Sequence, residues 1–194
     1  PLDGETVVAE AVSTTFELDV PEPVENSAAV TAFDAFDAFD IEGYAAMHAF
    51  PTCFTCGPDR ASGDGLRIFP AQVPGRPELV VSPWRPDRSF VDDDDRIRDE
   101  LVWAALDCPS WLVWMVLDPS QGPAVLGELT VGIERRVVPD EPLAVAAWQI
   151  AADGRKRTSG SVAWDTEGVV VAKAHATWVV LDESHFASFG VKTG

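Results

Sequence analysis

The sequence predicts an α+β protein in which an antiparallel β-sheet wraps one long buried helix. Three observations lead there. Residues 101–117, LVWAALDCPSWLVWMVL, form a nearly unbroken apolar run. The chain that follows alternates apolar and polar residues between tight-turn signals, and the chain before it offers only short strand-like runs among Gly, Pro and Asp.

The apolar run holds one carboxylate, Asp107, and three of the chain's seven tryptophans. It falls slightly short of a ~20-residue bilayer crossing, and Asp107, Pro109 and Asp118 interrupt or close it, so a buried helix is expected rather than a membrane span. Asp99 and Glu100 suit the positive end of a helix dipole, and Leu101, Ala104, Ala105, Cys108 and Trp111 or Leu112 recur at helical spacing. Pro109 is expected to kink the helix or end its first half. A charge in so apolar a setting is costly unless it is paired or used, which makes Asp107 the first functional candidate.

Downstream, Val125 to Val138 alternates, with Leu129, Val131 and Ile133 on one face and Glu128, Thr130 and Glu134 on the other. Leu143 to Ala151 follows a Pro-Asp-Glu-Pro turn, Arg155 to Asp165 follows Asp153-Gly154, and Val169 to Leu181 follows Glu167-Gly168. Four consecutive strands with short turns predict an antiparallel meander. Upstream, a Gly-, Pro- and Asp-rich loop from His48 leads into a strand expected to begin over Leu66 to Phe69, and Leu79 to Ser82 gives another. The acidic turn Asp92 to Asp95 delivers the chain to the helix.

Residues 4–19, GETVVAEAVSTTFELD, align with residues 167–182, EGVVVAKAHATWVVLD. The match predicts a strand near the start and suggests two copies of one module, the first present only as its last strand. Residues 1–45 are accordingly read as a terminal strand plus a linker helix, in which Phe33, Phe36 and Phe39 form a narrow stripe, and residues 46–194 as the main domain.

At 194 residues with 46% apolar content the chain can bury a substantial core. A net charge of −18, with 14 basic against 32 acidic residues, opposes nucleic-acid binding. No charged start followed by an apolar run precedes residue 30, so a cytoplasmic protein without membrane attachment is expected. Three cysteines argue against a disulfide framework.

Cys53-Phe54-Thr55-Cys56-Gly57-Pro58 through Gly65-Leu66, together with Val102-Trp103-Ala104-Ala105-Leu106-Asp107, resembles the hotdog-fold acyl-CoA thioesterase superfamily. The first segment is similar to the Cys-Gly and Gly-Leu entry of phenylacetate-type thioesterases, and the second to the helix segment that ends in their catalytic Asp. The resemblance covers about residues 48 to 182, and residues 1–19 would belong to a preceding unit, as in tandem double-hotdog proteins. It implies that Asp107 activates water, or attacks directly, at a thioester carbonyl, while backbone N–H groups at a helix N-terminus hold the oxyanion. Arg98-Asp99-Glu100 stand where those enzymes carry His-Gly-Gly. The expected ligand is an acyl-CoA or related acyl thioester, and the expected assembly is a homodimer or a pseudo-dimer completed by the N-terminal piece. A non-catalytic hotdog module that binds an acyl ligand or serves assembly is the alternative.

Glu100 is a second candidate base, or a solvated partner of the helix dipole. Trp103 and Trp111 line an acyl tunnel or belong to the core. Arg155 and Lys156 meet the phosphates of coenzyme A or form a solvated turn. Cys53, Cys56 and His48 have zinc-like spacing, but no paired motif supplies a clear fourth ligand, and Cys108 would have to meet that loop in space. No metal is therefore expected, and no cofactor beyond coenzyme A as part of the substrate. A hydratase would need His48, His175 or His185 beside Asp107, and none is near it in sequence.

Overall fold

The computed structural model describes residues 2–3, 6–7, 9–24, 41–48 and 50–182. Two short strands pair near the start, β1 (Leu2–Asp3) and β2 (Thr6–Val7), and a short helix α1 spans Ile41–Met47. The main sheet is built from β3 (Ala71–Val73), β4 (Arg76–Trp84), β5 (Ala124–Ile133), β6 (Leu143–Asp153), β7 (Lys156–Trp164) and β8 (Val170–Val180). The long helix α2, Asp99–Leu117, lies between β4 and β5 in sequence and packs against β6, β7 and β8. The expected architecture, an antiparallel sheet around one central helix, is the one observed.

The strand order is β3-β4-β6-β7-β8-β5, all neighbours antiparallel. Only β6, β7 and β8 form a meander. β5 does not pair with β6, as simple succession predicts, but crosses to the far edge and pairs with β8. The connection at 134–142 makes this possible. Nine residues at ~3.3 Å each can cross three strand spacings of ~4.8 Å with length to spare. The crossing chain is anchored by Val137, which is fully buried and whose carbonyl accepts the N–H of Ile97.

Alternation along the strands gives the sheet two apolar faces. Val145, Ala163, Ala172 and Ala174 join Leu101, Val102, Ala105 and Leu106 of α2, with Leu129, Val131 and Ile133 packed alongside. The opposite face carries Leu79, Val81, Ala146, Trp148, Val162 and Trp164, and here Leu18, Val20 and Val24 lie against it. Residues 9–24 adopt no regular structure. Of the strand expected over residues 4–19, Thr6–Val7 is observed, and residues 9–24 form a strap across the outer face instead. Phe16 reaches Gly132, and the Lys173 ammonium sits over its ring at 6.0 Å. The Phe-Asp tract expected as a linker helix lies outside the described residues.

Leu66 to Phe69 is irregular rather than a strand. The Ile68 N–H goes to Thr55 O and the Phe69 N–H to Ser82 Oγ, both at 2.9 Å, so loop and side-chain acceptors take the place of a ladder. α2 runs through Pro109 without ending. Pro109 lacks the N–H that would serve the carbonyl of Ala105, and hydroxyls crowd this stretch: Thr55 Oγ1 donates to Ala104 O (3.1 Å), Ser161 Oγ to Leu106 O (2.7 Å) and Ser110 Oγ to Asp107 O (2.6 Å). α2 is long and apolar enough to cross a membrane, yet more than half of it is buried inside the protein, as befits a core helix.

Candidate active site

Asp107 sits midway along α2, held in place by the Ser161 and Ser110 contacts on either side. Its Oδ1 is buried and has no hydrogen-bond partner, the only such side-chain atom among the described residues. Burial, and secondly the negative charge of Cys53, push its carboxyl up to about 6.

Beside it three thiols converge. The sulfurs of Cys53, Cys56 and Cys108 all lie within 4.8 Å of one another, with Cys53 and Cys108 at 3.6 Å. The loop that brings Cys53 and Cys56 together is a tight knuckle. The Gly57 N–H donates to Cys53 O at 2.9 Å, and any side chain on Gly57 would strike the backbone of Cys53 and Pro51. The thiols of Cys108 and Cys56, assisted by the backbone N–H groups of Cys56 and Thr55, hold the Cys53 thiol far below its ordinary range against the opposing effect of burial. Cys108 moves in the opposite direction, raised by its bonds to Cys53 and Cys56 and by burial. His48 closes the group, with Nε2 3.1 Å from Cys56 Sγ and Nδ1 accepting the Phe50 N–H at 3.1 Å. Burial lowers its imidazole below the usual value. The three cysteines are the set that could hold a metal, and His48 touches only the Cys56 edge of it.

The other expected site residues are spread out. Glu100 lies two turns before Asp107, about 10 Å along the helix axis, with its side chain 68% exposed and Arg98 at 3.8 Å. Trp103 is exposed. Trp111 is buried, tilts against Trp178 at 5.8 Å between centroids, and lines a small cavity of about 90 Å³ together with Cys53, Cys108 and His48. Arg155 and Lys156 are exposed at the β6–β7 turn, roughly 20 Å along β7 from Ser161, the strand residue that touches the helix next to Asp107. Arg157 turns inward instead, donating to Gln121 Oε1 at 3.0 Å and lying over the Trp114 ring. The structure therefore brings Asp107, the three cysteines, His48 and Trp111 together, and leaves Glu100, Trp103, Arg155 and Lys156 apart from them. His185 lies outside the described residues.

A larger cleft of about 300 Å³ opens between Gly63, Gly65, Arg67, Arg85 and Phe90. Asp107 lines neither of these cavities. Sequence reasoning missed this cleft because its walls come from a loop and from the end of β4, which no periodicity joins. The Gly63 and Gly65 spacing was its one visible signal. It also missed Ser110, Ser159 and Ser161, buried hydroxyls that bind α2 to the sheet; Ser159 and Ser161 stand two apart on β7, as residues facing one side of a strand must.

No protein-family model matches the sequence, and no curated protein does. Solved structures do match in fold. AziG from S. sahachiroi superimposes with a TM-score of 0.53 at 13% identity, over 60% of this chain and 90% of its own. A thioesterase superfamily protein gives 0.54 at 15% identity, over 63% and 60%. A phenylacetic acid degradation-related protein from Ralstonia eutropha JMP134 gives 0.53 at 16% identity, over 59% and 86%.

Proposed function

We propose that this chain, which has the hotdog fold, hydrolyses an acyl thioester, with Asp107 as the carboxylate that activates water. What supports the reading is the buried Oδ1 of Asp107, which no hydrogen bond holds. A structural carboxylate in such a place would be paired, because an unsatisfied buried polar group costs about 1–3 kcal/mol. The lone pairs of Oδ1 are engaged by no protein donor, and a water admitted beside them would be held by this oxygen. The water oxygen attacks the thioester carbonyl carbon as its proton passes to Asp107, the carbon–sulfur bond then breaks, and the proton returns to the departing thiolate. Acid and thiol are the products.

Acyl-CoA is the substrate class that the sequence resemblance suggests. Arg155 and Lys156, exposed at the β6–β7 turn, are proposed to meet its phosphates. Among the described residues the edge strand β5 has an unpaired side, and it presents exposed Val125 and Leu126, which favours pairing with a second copy of this chain. A strictly monomeric species in light scattering would count against that assembly.

A second reading, a hotdog module that binds an acyl ligand without turnover, is favoured by the entry to α2. Arg98, Asp99 and Glu100 occupy it with exposed charged side chains. Hydrolysis of a panel of acyl-CoAs by wild type and Asp107→Asn separates the readings. Turnover that depends on Asp107 supports the hydrolase. Equal rates in the two proteins remove Asp107 from the mechanism, and ligand binding without any turnover leaves the module.

A further inference from the structure

We propose that Cys53, Cys56, Cys108 and His48 form a structural zinc site that fastens the loop at 50–57 to the middle of α2. The sequence offers only a Cys-x-x-Cys pair with a nearby His, and the missing ligand is supplied by the fold, which delivers Cys108 from the central helix to the knuckle. With Zn–S bonds of about 2.3 Å, two sulfurs on adjacent corners of a tetrahedron stand about 3.8 Å apart. The Cys53–Cys108 separation of 3.6 Å is close to that value and far from the ~2.05 Å of a disulfide. All three sulfurs fall within a 4.8 Å group, so a single ion can reach each of them with small side-chain rotations.

Two further features fit a metal better than a chance meeting of thiols. The Gly57 N–H closes the loop onto Cys53 O at 2.9 Å, a knuckle that turns the Cys53 and Cys56 sulfurs toward one another. The imidazole of His48 lies beside the group, its Nε2 against Cys56 Sγ at 3.1 Å, and a swing toward the other two sulfurs brings it to the fourth position. Proton accounting fixes what binding requires. In the metal-free arrangement Nδ1 accepts from the Phe50 N–H, so Nε2 carries the ring proton and donates it to Cys56. Ligation through Nε2 moves the ring proton to Nδ1 and costs the Phe50 N–H its acceptor, while the thiols release their protons to solvent. Zinc binding should therefore acidify an unbuffered solution. Three thiolates and one imidazole complete four-coordination, leaving no open position for a substrate, so the role is structural. The ligand Cys108 follows Asp107 directly, and the ion would hold the helix at the point where the candidate carboxylate sits. The inference stands on the cluster itself and does not depend on hydrolase activity.

The test uses the full chain purified under reducing conditions without chelator. Elemental analysis is expected to find one zinc per chain. Exchange into cobalt(II) should give the visible bands of a tetrahedral site with thiolate-to-cobalt charge transfer, and chelation should make the three thiols reactive to Ellman's reagent. His48→Ala should weaken zinc binding at least tenfold in a competition titration and change the cobalt bands. Because Cys108 belongs to the core helix, Cys53→Ser on the loop serves as the second variant and should lower the charge-transfer intensity while circular dichroism shows the sheet intact. Folded protein that binds neither zinc nor cobalt overturns the proposal, as does a native disulfide between any two of the three cysteines in non-reducing peptide mapping. Cobalt bands unchanged in His48→Ala overturn the assignment of the fourth ligand.

Discussion

The indole N–H of Trp178 donates to Ser110 Oγ at 2.8 Å, and the same hydroxyl donates to the carbonyl of Asp107 at 2.6 Å. One fully buried serine thus links β8 to the turn of α2 that carries the candidate carboxylate. Ser110→Ala leaves the indole N–H unpaired in the core and should cost about 1–3 kcal/mol, read as a lower midpoint in urea. A variant as stable as wild type would mean that water reaches the indole.

Asp107→Asn should separate stability from turnover. The substitution removes a buried charge that has no partner, so the melting temperature should hold or rise. If Asp107 is the base, hydrolysis should fall by about 10²- to 10⁴-fold. A large loss of stability would show that the carboxylate has a structural partner, and would sink the argument from its unpaired oxygen.

Trp148 and Gly160 face each other across β6 and β7, and the indole lies over the glycine so closely that a methyl group there would overlap the ring. Gly160→Ala should therefore destabilise the protein by about 1–3 kcal/mol through overpacking, and red-shift tryptophan emission as the ring is pushed toward solvent. Unchanged stability would require a vacant rotamer for Trp148 that this packing does not provide.

Asp165 links the β7–β8 turn to Arg135. Burial opposes its ionisation, but the N–H groups of Val169 and Glu167 and the Arg135 guanidinium, which also pairs with Glu141, hold its carboxyl below the ordinary value. A depressed folded-state value means that the contribution is complete above ~3.9, the unfolded aspartate value, and is lost as pH falls through the lower folded one. Asp165→Asn should accordingly melt below wild type by a constant margin from pH 7 to about 5, and the margin should shrink toward pH 3. A margin that widens in acid would contradict the sign.

The central helix was legible from residues 101–117 because a long apolar run with one carboxylate has few other uses, and the downstream strands were legible because turns such as Asp153-Gly154 and Glu167-Gly168 punctuate clean alternation. Both glycines do take the positive φ that such turns require. The order of strands was not legible. Alternation fixes which way Leu129 and Val131 face, not whether β5 lies beside β6 or β8, and both edges would bury the same side chains. The convergence of Cys108 on Cys53 was likewise invisible, since 55 residues separate them and only the packing of the knuckle on α2 joins them. The outer strap reads as a strand in the sequence because Phe16, Leu18 and Val20 alternate as strand residues do, but they pack on the outer face without joining a ladder.

The place of β5 at the far edge also has a consequence for synthesis on the ribosome. β5 ends at Ile133 and its partner ends at Val180, so at ~5–20 residues per second it waits roughly 2–10 s for that partner to be made. During that interval α2 has emerged with its apolar side uncovered. The nascent chain is most exposed to aggregation and to chaperone capture just before β8 arrives, and premature termination anywhere in β8 should release a species that cannot close the sheet.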